Sequence, residues 1–163
     1  MTNSTYLLIG GNLGNRLQNL ATAKAYIENE LGEIIKASSI YETAAWGITE
    51  QLDFLNQVLL IKTKISAEEM MQIILSIENK MGRIRTQKNA SRIIDIDILF
   101  FNDEIINKQN LTIPHSEIQN RKFALIPLHE IAADLVHPVL KQSIKDLLST
   151  SKDKLEVKPL SKP

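Results

Sequence analysis

The sequence contains no cysteine. That excludes a disulfide framework, a thiolate nucleophile and a cysteine-ligated zinc. It also lacks a net charge, because 19 Lys+Arg balance 19 Asp+Glu. A general binder of nucleic acid or anionic membrane needs a basic surface, which this balance does not supply. Aromatic residues are scarce, at 5% of the chain, with a single Trp. An RNA-binding sheet displays aromatics on its central strands, so the scarcity argues against that class too. No apolar run approaches membrane-spanning length, and the polar segment from Met1 to Tyr6 lacks the basic start of a secretory leader. What is left is a cytoplasmic protein that binds neither nucleic acid nor membrane. It is expected to be one domain over residues 1–163, with a loosely ordered polar tail from about residue 149. A monomer suffices.

The elements follow from hydrophobic periodicity. Tyr6-Leu7-Leu8-Ile9 is an apolar strand stopped by Gly10-Gly11. The glycines suit either a phosphate-cradling loop or a plain strand-to-helix turn. Asn15, with Gln18 three residues on, reads as a helix cap with a capping-box partner. Leu17, Leu20, Ile27 and Leu31 give the following helix its stripe, and Gly32 ends it. Glu33 to Tyr41 is a second strand, Thr43 to Gly47 a loop, and Phe54 to Thr63 a third strand. Ser66 with Glu69 is a second capping box, and Met70, Ile74, Ile77 and Met81 form the stripe behind it. A fourth strand runs from Ile94 to Phe101, and a small one is expected at Glu104 to Ile106. Helical segments around Asn120–Leu128 and Ser143–Leu148 complete the chain. The order β-α-β-β-α-β predicts an α+β fold of the ferredoxin-like plait, an antiparallel sheet with helices packed on it.

The fourth strand carries the chemistry. Alternation puts Ile94, Ile96 and Ile98 on one face and Asp95 and Asp97 on the other, their carboxylates roughly 6.6 Å apart along the strand. Two converging carboxylates suit Mg²⁺ and phosphate; they also suit a strand whose polar face simply meets water. Just ahead, Lys80, Arg83, Arg85, Lys88 and Arg92 occur with no acid among them. These cations either form a solvated surface, pair with the aspartates, or grip a polyphosphate that lies between the two groups. In a regular strand Arg92 would point with the isoleucines, so a phosphate role requires the strand to begin after it. On the third strand, Phe54 and Asn56 share a face and combine a ring with an amide that can donate and accept. His115, His129 and His137 form no metal motif; His115 sits in a loop beside Thr112, and the other two read as structural.

Several segments resemble, in order, the 6-hydroxymethyl-7,8-dihydropterin pyrophosphokinase family of folate biosynthesis. They are Ile9 to Gly14, Ser38 to Thr43, Phe54 to Asn56, Gly82 to Arg85, Lys88 to Leu99, Leu111 to His115 and Asn120 to Phe123. The resemblance implies transfer of the β,γ-diphosphate of ATP to the pterin hydroxymethyl group, leaving AMP. By the same resemblance, Asp95 and Asp97 would hold two Mg²⁺, and Arg83 and Arg92 would stabilise the transferring group. Glu78, Arg85, Lys88, Ile98, Thr112, His115 and Arg121 would serve ATP. Thr43, Ala45, Trp46, Phe54, Asn56 and Phe123 would serve the pterin, the two phenylalanines sandwiching its ring. Asn89 departs from the family's usual aromatic, and Trp46 is the ring expected to replace it as a seal.

Overall fold

The computed structural model describes residues 2–44, 53–82 and 92–160. A sheet forms from β1 (Asn3–Gly11), β2 (Glu33–Ala37), β3 (Tyr41–Thr43), β4 (Phe54–Thr63), β5 (Asp95–Phe101) and β8 (Val157–Pro159). Its order is β5-β1-β4-β3-β8, with β2 also paired to β4, and every pairing is antiparallel. This is the expected plait, with the two strands nearest the chain's ends of the β-α-β-β-α-β unit, β1 and β5, side by side. A separate hairpin joins β6 (Ile106–Lys108) to β7 (Leu111–Ile113). The small strand therefore lies two residues later than expected, and part of the expected loop is strand.

Helices α1 (Arg16–Glu30) and α2 (Ala67–Lys80) cover one face. Their stripes, Leu20, Ala23 and Ile27 on α1 and Met70, Ile74 and Ile77 on α2, pack against Leu7, Ile9, Leu59, Ile96 and Ile98. Leu17 lies exposed instead of joining that stripe. Asn15 caps α1 through Gln18 N–H at 3.1 Å, but the Gln18 amide turns to Thr22, so the reciprocal bond is absent. The Ser66–Glu69 box on α2 is complete.

On the other face, α3 (Lys122–Ala132) and α4 (Ile144–Ser149) bury Leu8, Val58, Leu99 and Phe100. They cover only one end of it. The other end, where β1 reaches Gly10 and β5 begins, stays open. Among the described residues no helix is long and apolar enough to cross a membrane.

The expected second strand is broken into β2 and β3. Ser38 Oγ accepts Val58 N–H at 3.0 Å, and the carboxylate of Glu130 on α3 takes Ser39 N–H at 2.9 Å and Tyr41 O–H at 2.6 Å. Those bonds pull the chain off the ladder and re-seat it so that Thr43 joins β3. Burial raises the Glu130 carboxyl, but the bonds from Tyr41 and Ser39 outweigh it and hold the group below its ordinary value. Burial first, and Glu130 second, push the Tyr41 phenol up to about 12. A phenol whose folded value is raised supports stability below its ordinary value and loses that support as pH rises. We therefore expect stability to fall between pH 10 and about 12. Tyr41→Phe should flatten that part of a melting-temperature profile; an unchanged profile would contradict the coupling.

The tail also differs from expectation. It is not loose: β8 pairs with β3, and Leu160 N–H reaches Ile40 O at 2.9 Å. Ser151, Asp153, Leu155 and Val157 are half-buried, whereas Lys152, Lys154, Glu156 and Lys158 are exposed. That period-2 alternation was present in the sequence; the high Lys content masked it.

Candidate active site

The open end of the sheet is built in rows. Tyr41 pairs with Asn56, Asn56 with Gly10, and Gly10 with Asp95. Thr43 pairs with Phe54, and Leu8 with Asp97. Partners directly across a ladder share a face, so Thr43, Phe54, Asn56, Asp95 and Asp97 all look the same way. The glycines serve this arrangement by having no side chain. A Cβ on Gly10 would lie 2.2 Å from Asn56 Oδ1 and 2.7 Å from Leu55 O; one on Gly11 would lie 2.3 Å from Ile93 O. The Gly10-Gly11 pair is thus a close-approach device, and the turn after it binds backbone: Asn12 N–H donates to Arg92 O, and Arg92 N–H donates to Asn12 Oδ1, each at 2.9 Å.

Those two bonds settle the direction of Arg92. Strand β5 begins at Asp95, so Arg92 is free of the strand's alternation. Its guanidinium lies 3.1 Å from Asp95 Oδ2 and 5.6 Å from the centre of the Phe54 ring. Cation and carboxylate are paired, as one of the readings of the basic stretch required. Arg121 lies likewise 5.6 Å from the centre of the Phe123 ring at the start of α3.

Asp95, Asp97, Arg92, Arg121, Thr43, Phe54, Asn56 and Phe123 line one cavity of about 520 Å³. Its size is that of a small-ligand site. Sequence reasoning missed further lining residues: Leu8, Ala44, Glu117, Asn120, Asp153 and Leu155. Asn120 stood beside Arg121 in a segment already singled out; Glu117 carried no motif. Thr43 is 3% exposed, and its Oγ1 has no hydrogen-bond partner among the described residues, so a polar ligand edge would satisfy it.

Other expected residues lie elsewhere. Ile98 packs in the core between the sheet and the α1/α2 layer, because alternation turns it away from the aspartates. Thr112 is exposed on β7 and does not line the cavity. Glu78 is 3% exposed on α2 and reaches the outer edge of β5, where its Oε2 accepts Ile96 N–H at 2.8 Å. A helix carboxylate thereby satisfies an edge-strand donor midway between the two aspartates. Glu78→Ala should leave that buried donor unpaired, lowering stability by about 1–3 kcal/mol. Amide exchange at Ile96 should accelerate, and Glu78→Gln should preserve most of its protection. Equal exchange in Glu78→Ala and the parent chain would refute this holding role. Arg83, Arg85, Lys88, Ala45 and Trp46 lie outside the described residues.

His115 adjoins the cavity without lining it. Its backbone N–H donates to Leu99 O at 3.0 Å, and its ring Nδ1 accepts Glu117 N–H at 3.2 Å. Burial, then Arg121, lower its basicity; Asp95 and Glu117 offset that only in part. The neutral imidazole with Nδ1 accepting carries its proton on Nε2, a donor suited to phosphate or ribose oxygen.

The cavity lining carries charge of both signs. Among the described residues, the lining carries the carboxylates of Asp95, Asp97, Glu117 and Asp153 and the guanidiniums of Arg92 and Arg121. Both oxygens of Asp153 are already engaged by backbone N–H groups. Asp95 and Asp97 supply the hard oxygen donors that Mg²⁺ prefers, on one side of a strand, and Mg²⁺ commonly takes its other ligands from water and phosphate. No group of three or more His, Asp or Glu that could hold a metal occurs among the described residues.

Comparison with known proteins points the same way. The family model for 7,8-dihydro-6-hydroxymethylpterin-pyrophosphokinase matches residues 6–133. The 2-amino-4-hydroxy-6-hydroxymethyldihydropteridine pyrophosphokinase of Aquifex aeolicus is 38% identical over 143 residues, 88% of this chain and 89% of that one. The Haemophilus influenzae protein of the same name is 37% identical over 136 residues, 83% of this chain and 85% of its own. The crystal structure of Plasmodium falciparum HPPK-DHPS with pteroate superposes with a TM-score of 0.76 at 21% identity, over 91% of this chain and 42% of that longer one. That last likeness concerns the fold. The family match runs from β1 through α3 and so takes in Asp95, Asp97, Asn56, both phenylalanines and Arg121: this chain belongs to the 7,8-dihydro-6-hydroxymethylpterin-pyrophosphokinase family.

Proposed function

We infer that this protein transfers the diphosphate of ATP to the hydroxymethyl group of 6-hydroxymethyl-7,8-dihydropterin in folate biosynthesis, releasing AMP. The observation that carries this reading is the single cavity in which a carboxylate pair adjoins a ring-and-amide pocket, within a chain of this family. Phe54 and Phe123 offer apolar faces to a flat heterocycle, and Asn56 offers an amide that matches its donor-and-acceptor edge. Thr43 Oγ1 supplies a further unpartnered polar atom beside them.

Asp95 and Asp97 would hold Mg²⁺, two ions in our reading, which would neutralise the phosphate chain and acidify the attacking hydroxyl when bound. Arg92 then exchanges its bond with Asp95 for the transferring phosphate, a short move for a guanidinium already at the rim. Arg121, at the start of α3, and the Nε2–H of His115 are assigned to ATP oxygens. Arg83 is assigned to the transferring group, and Arg85 and Lys88 to ATP. Ala45 and Trp46 are assigned to the pterin, Trp46 as the seal. Thr112 and Ile98 are assigned to ATP through the exposed Thr112 side chain and the Ile98 backbone. In this reading the enzyme is a cytoplasmic monomer.

Incubation with Mg²⁺, ATP and the dihydropterin should yield AMP and a pterin diphosphate in equal amounts. ADP as the nucleotide product would overturn the reading.

A further inference from the structure

The chain beyond residue 133 lies outside the family match, yet its last segment returns to the cavity. We propose that Ser151–Val157 is a strap forming part of the pterin pocket, with Leu155 a contact for the heterocycle and Asp153 a positioning residue for Arg121 and Phe123. The inference rests on the pterin reading above and adds a specificity element to it.

The strap is fixed at both ends. Downstream, Val157 pairs with Thr43, so the strap merges into the sheet beside the pocket. Upstream, Ser151 Oγ accepts Asp153 N–H at 3.2 Å, and Asp153 Oδ1 accepts Leu155 N–H at 3.0 Å. Asp153 Oδ2 accepts Lys122 N–H at 2.9 Å. That last bond closes a gap in α3. Its N-cap residue, Arg121, makes no side-chain capping bond, so the first N–H of the helix would lack an acceptor. Asp153 supplies the missing carboxylate from 31 residues away, at the helix end that favours negative charge.

The position of that cap matters for the ligand. Lys122 sits between Arg121 and Phe123, whose guanidinium and ring lie 5.6 Å apart and both line the cavity. Holding the Lys122 amide holds both neighbours. With both oxygens engaged, Asp153 acts on the ligand through those neighbours. Leu155, two residues on, is half-buried between two backbone anchors and lines the same cavity. The apolar surface it still exposes is what a flat ring would cover.

The test uses the full chain with Leu155→Ala, Asp153→Ala and Asp153→Asn. Equilibrium binding of 6-hydroxymethylpterin is followed by its fluorescence, and KM is measured for each substrate, with melting temperature alongside. We expect Leu155→Ala to weaken pterin binding about tenfold, the scale of a lost aliphatic contact. Asp153→Ala should raise the pterin KM about as much, and Asp153→Asn, whose amide oxygen still accepts, should recover most of it. In Leu155→Ala the KM for ATP should change far less than that for pterin, whereas in Asp153→Ala both should rise, because the cap also positions Arg121. Where Leu155→Ala melts early, Leu155→Gln keeps the length and removes the apolar face. Wild-type pterin affinity in the Leu155 variants and Asp153→Ala would overturn the proposal. So would parallel rises in both KM values of the Leu155 variants that track a falling melting temperature. Failure of the unaltered chain to bind the pterin would overturn the pterin reading itself, and the strap with it.

Discussion

Asp97→Ala is expected to abolish turnover without unfolding the protein. Asp97 and Asp95 share one strand face at the open end of the sheet, where their like charges repel, and Asp95 is also paired with Arg92. Removing one relieves that repulsion, so the melting temperature should hold or rise slightly. The catalytic loss comes from the phosphate chain, which needs several kcal/mol of charge stabilisation that the two arginines alone do not replace. A loss of about 4 kcal/mol corresponds to roughly a thousandfold in rate. Single-turnover rates at saturating Mg²⁺ and ATP, measured beside thermal melts, check both halves. Residual activity within about tenfold of the parent, a difference of only about 1.4 kcal/mol, would place the metal elsewhere.

Gly10→Ala should impair both stability and substrate recognition, through a residue with no side chain. The added methyl would meet Asn56 Oδ1 at 2.2 Å and Leu55 O at 2.7 Å. The amide can swing away, but the Leu55 carbonyl belongs to the ladder and cannot. Overpacking of this kind costs about 1–3 kcal/mol, or a few degrees of melting temperature per kcal/mol in a chain this size. The displaced amide also loses its aim at the heterocycle. A misplaced hydrogen-bonding group costs about 1–3 kcal/mol, so the pterin KM should rise by about 10- to 100-fold. ATP affinity, measured separately, should be largely spared. A stable Gly10→Ala protein with the parent pterin KM would show that Asn56 does not read the substrate from this position.

How far the site could be read from the sequence depended on whether alternation held. It held on β4 and β5, so the shared faces of Phe54 with Asn56 and of Asp95 with Asp97 were legible in advance. It also turned Ile98 into the core, which the resemblance alone did not reveal. Arg92 was the point of conflict, resolved by the Asn12 turn that grips its backbone and delays the strand. That turn depends on contacts across 80 residues of sequence, beyond any local pattern. Glu78 shows the same limit: a buried helix carboxylate holding Ile96 N–H is a tertiary fact with no local signature. The break between β2 and β3 arises from Glu130, on α3, far along the chain. The strap is a different case. Its alternation was readable, but four exposed charges made a sheet strand look like a solvated tail.

Membership of the pyrophosphokinase family implies a single transfer of two phosphates together. ATP labelled at its β phosphorus separates this from transfer of the γ phosphate alone. With Mg²⁺ and 6-hydroxymethyl-7,8-dihydropterin present, all of the transferred β label should appear in the pterin product, and the AMP should carry none. Label retained in ADP, with a pterin monophosphate beside it, would contradict diphosphate transfer by this chain.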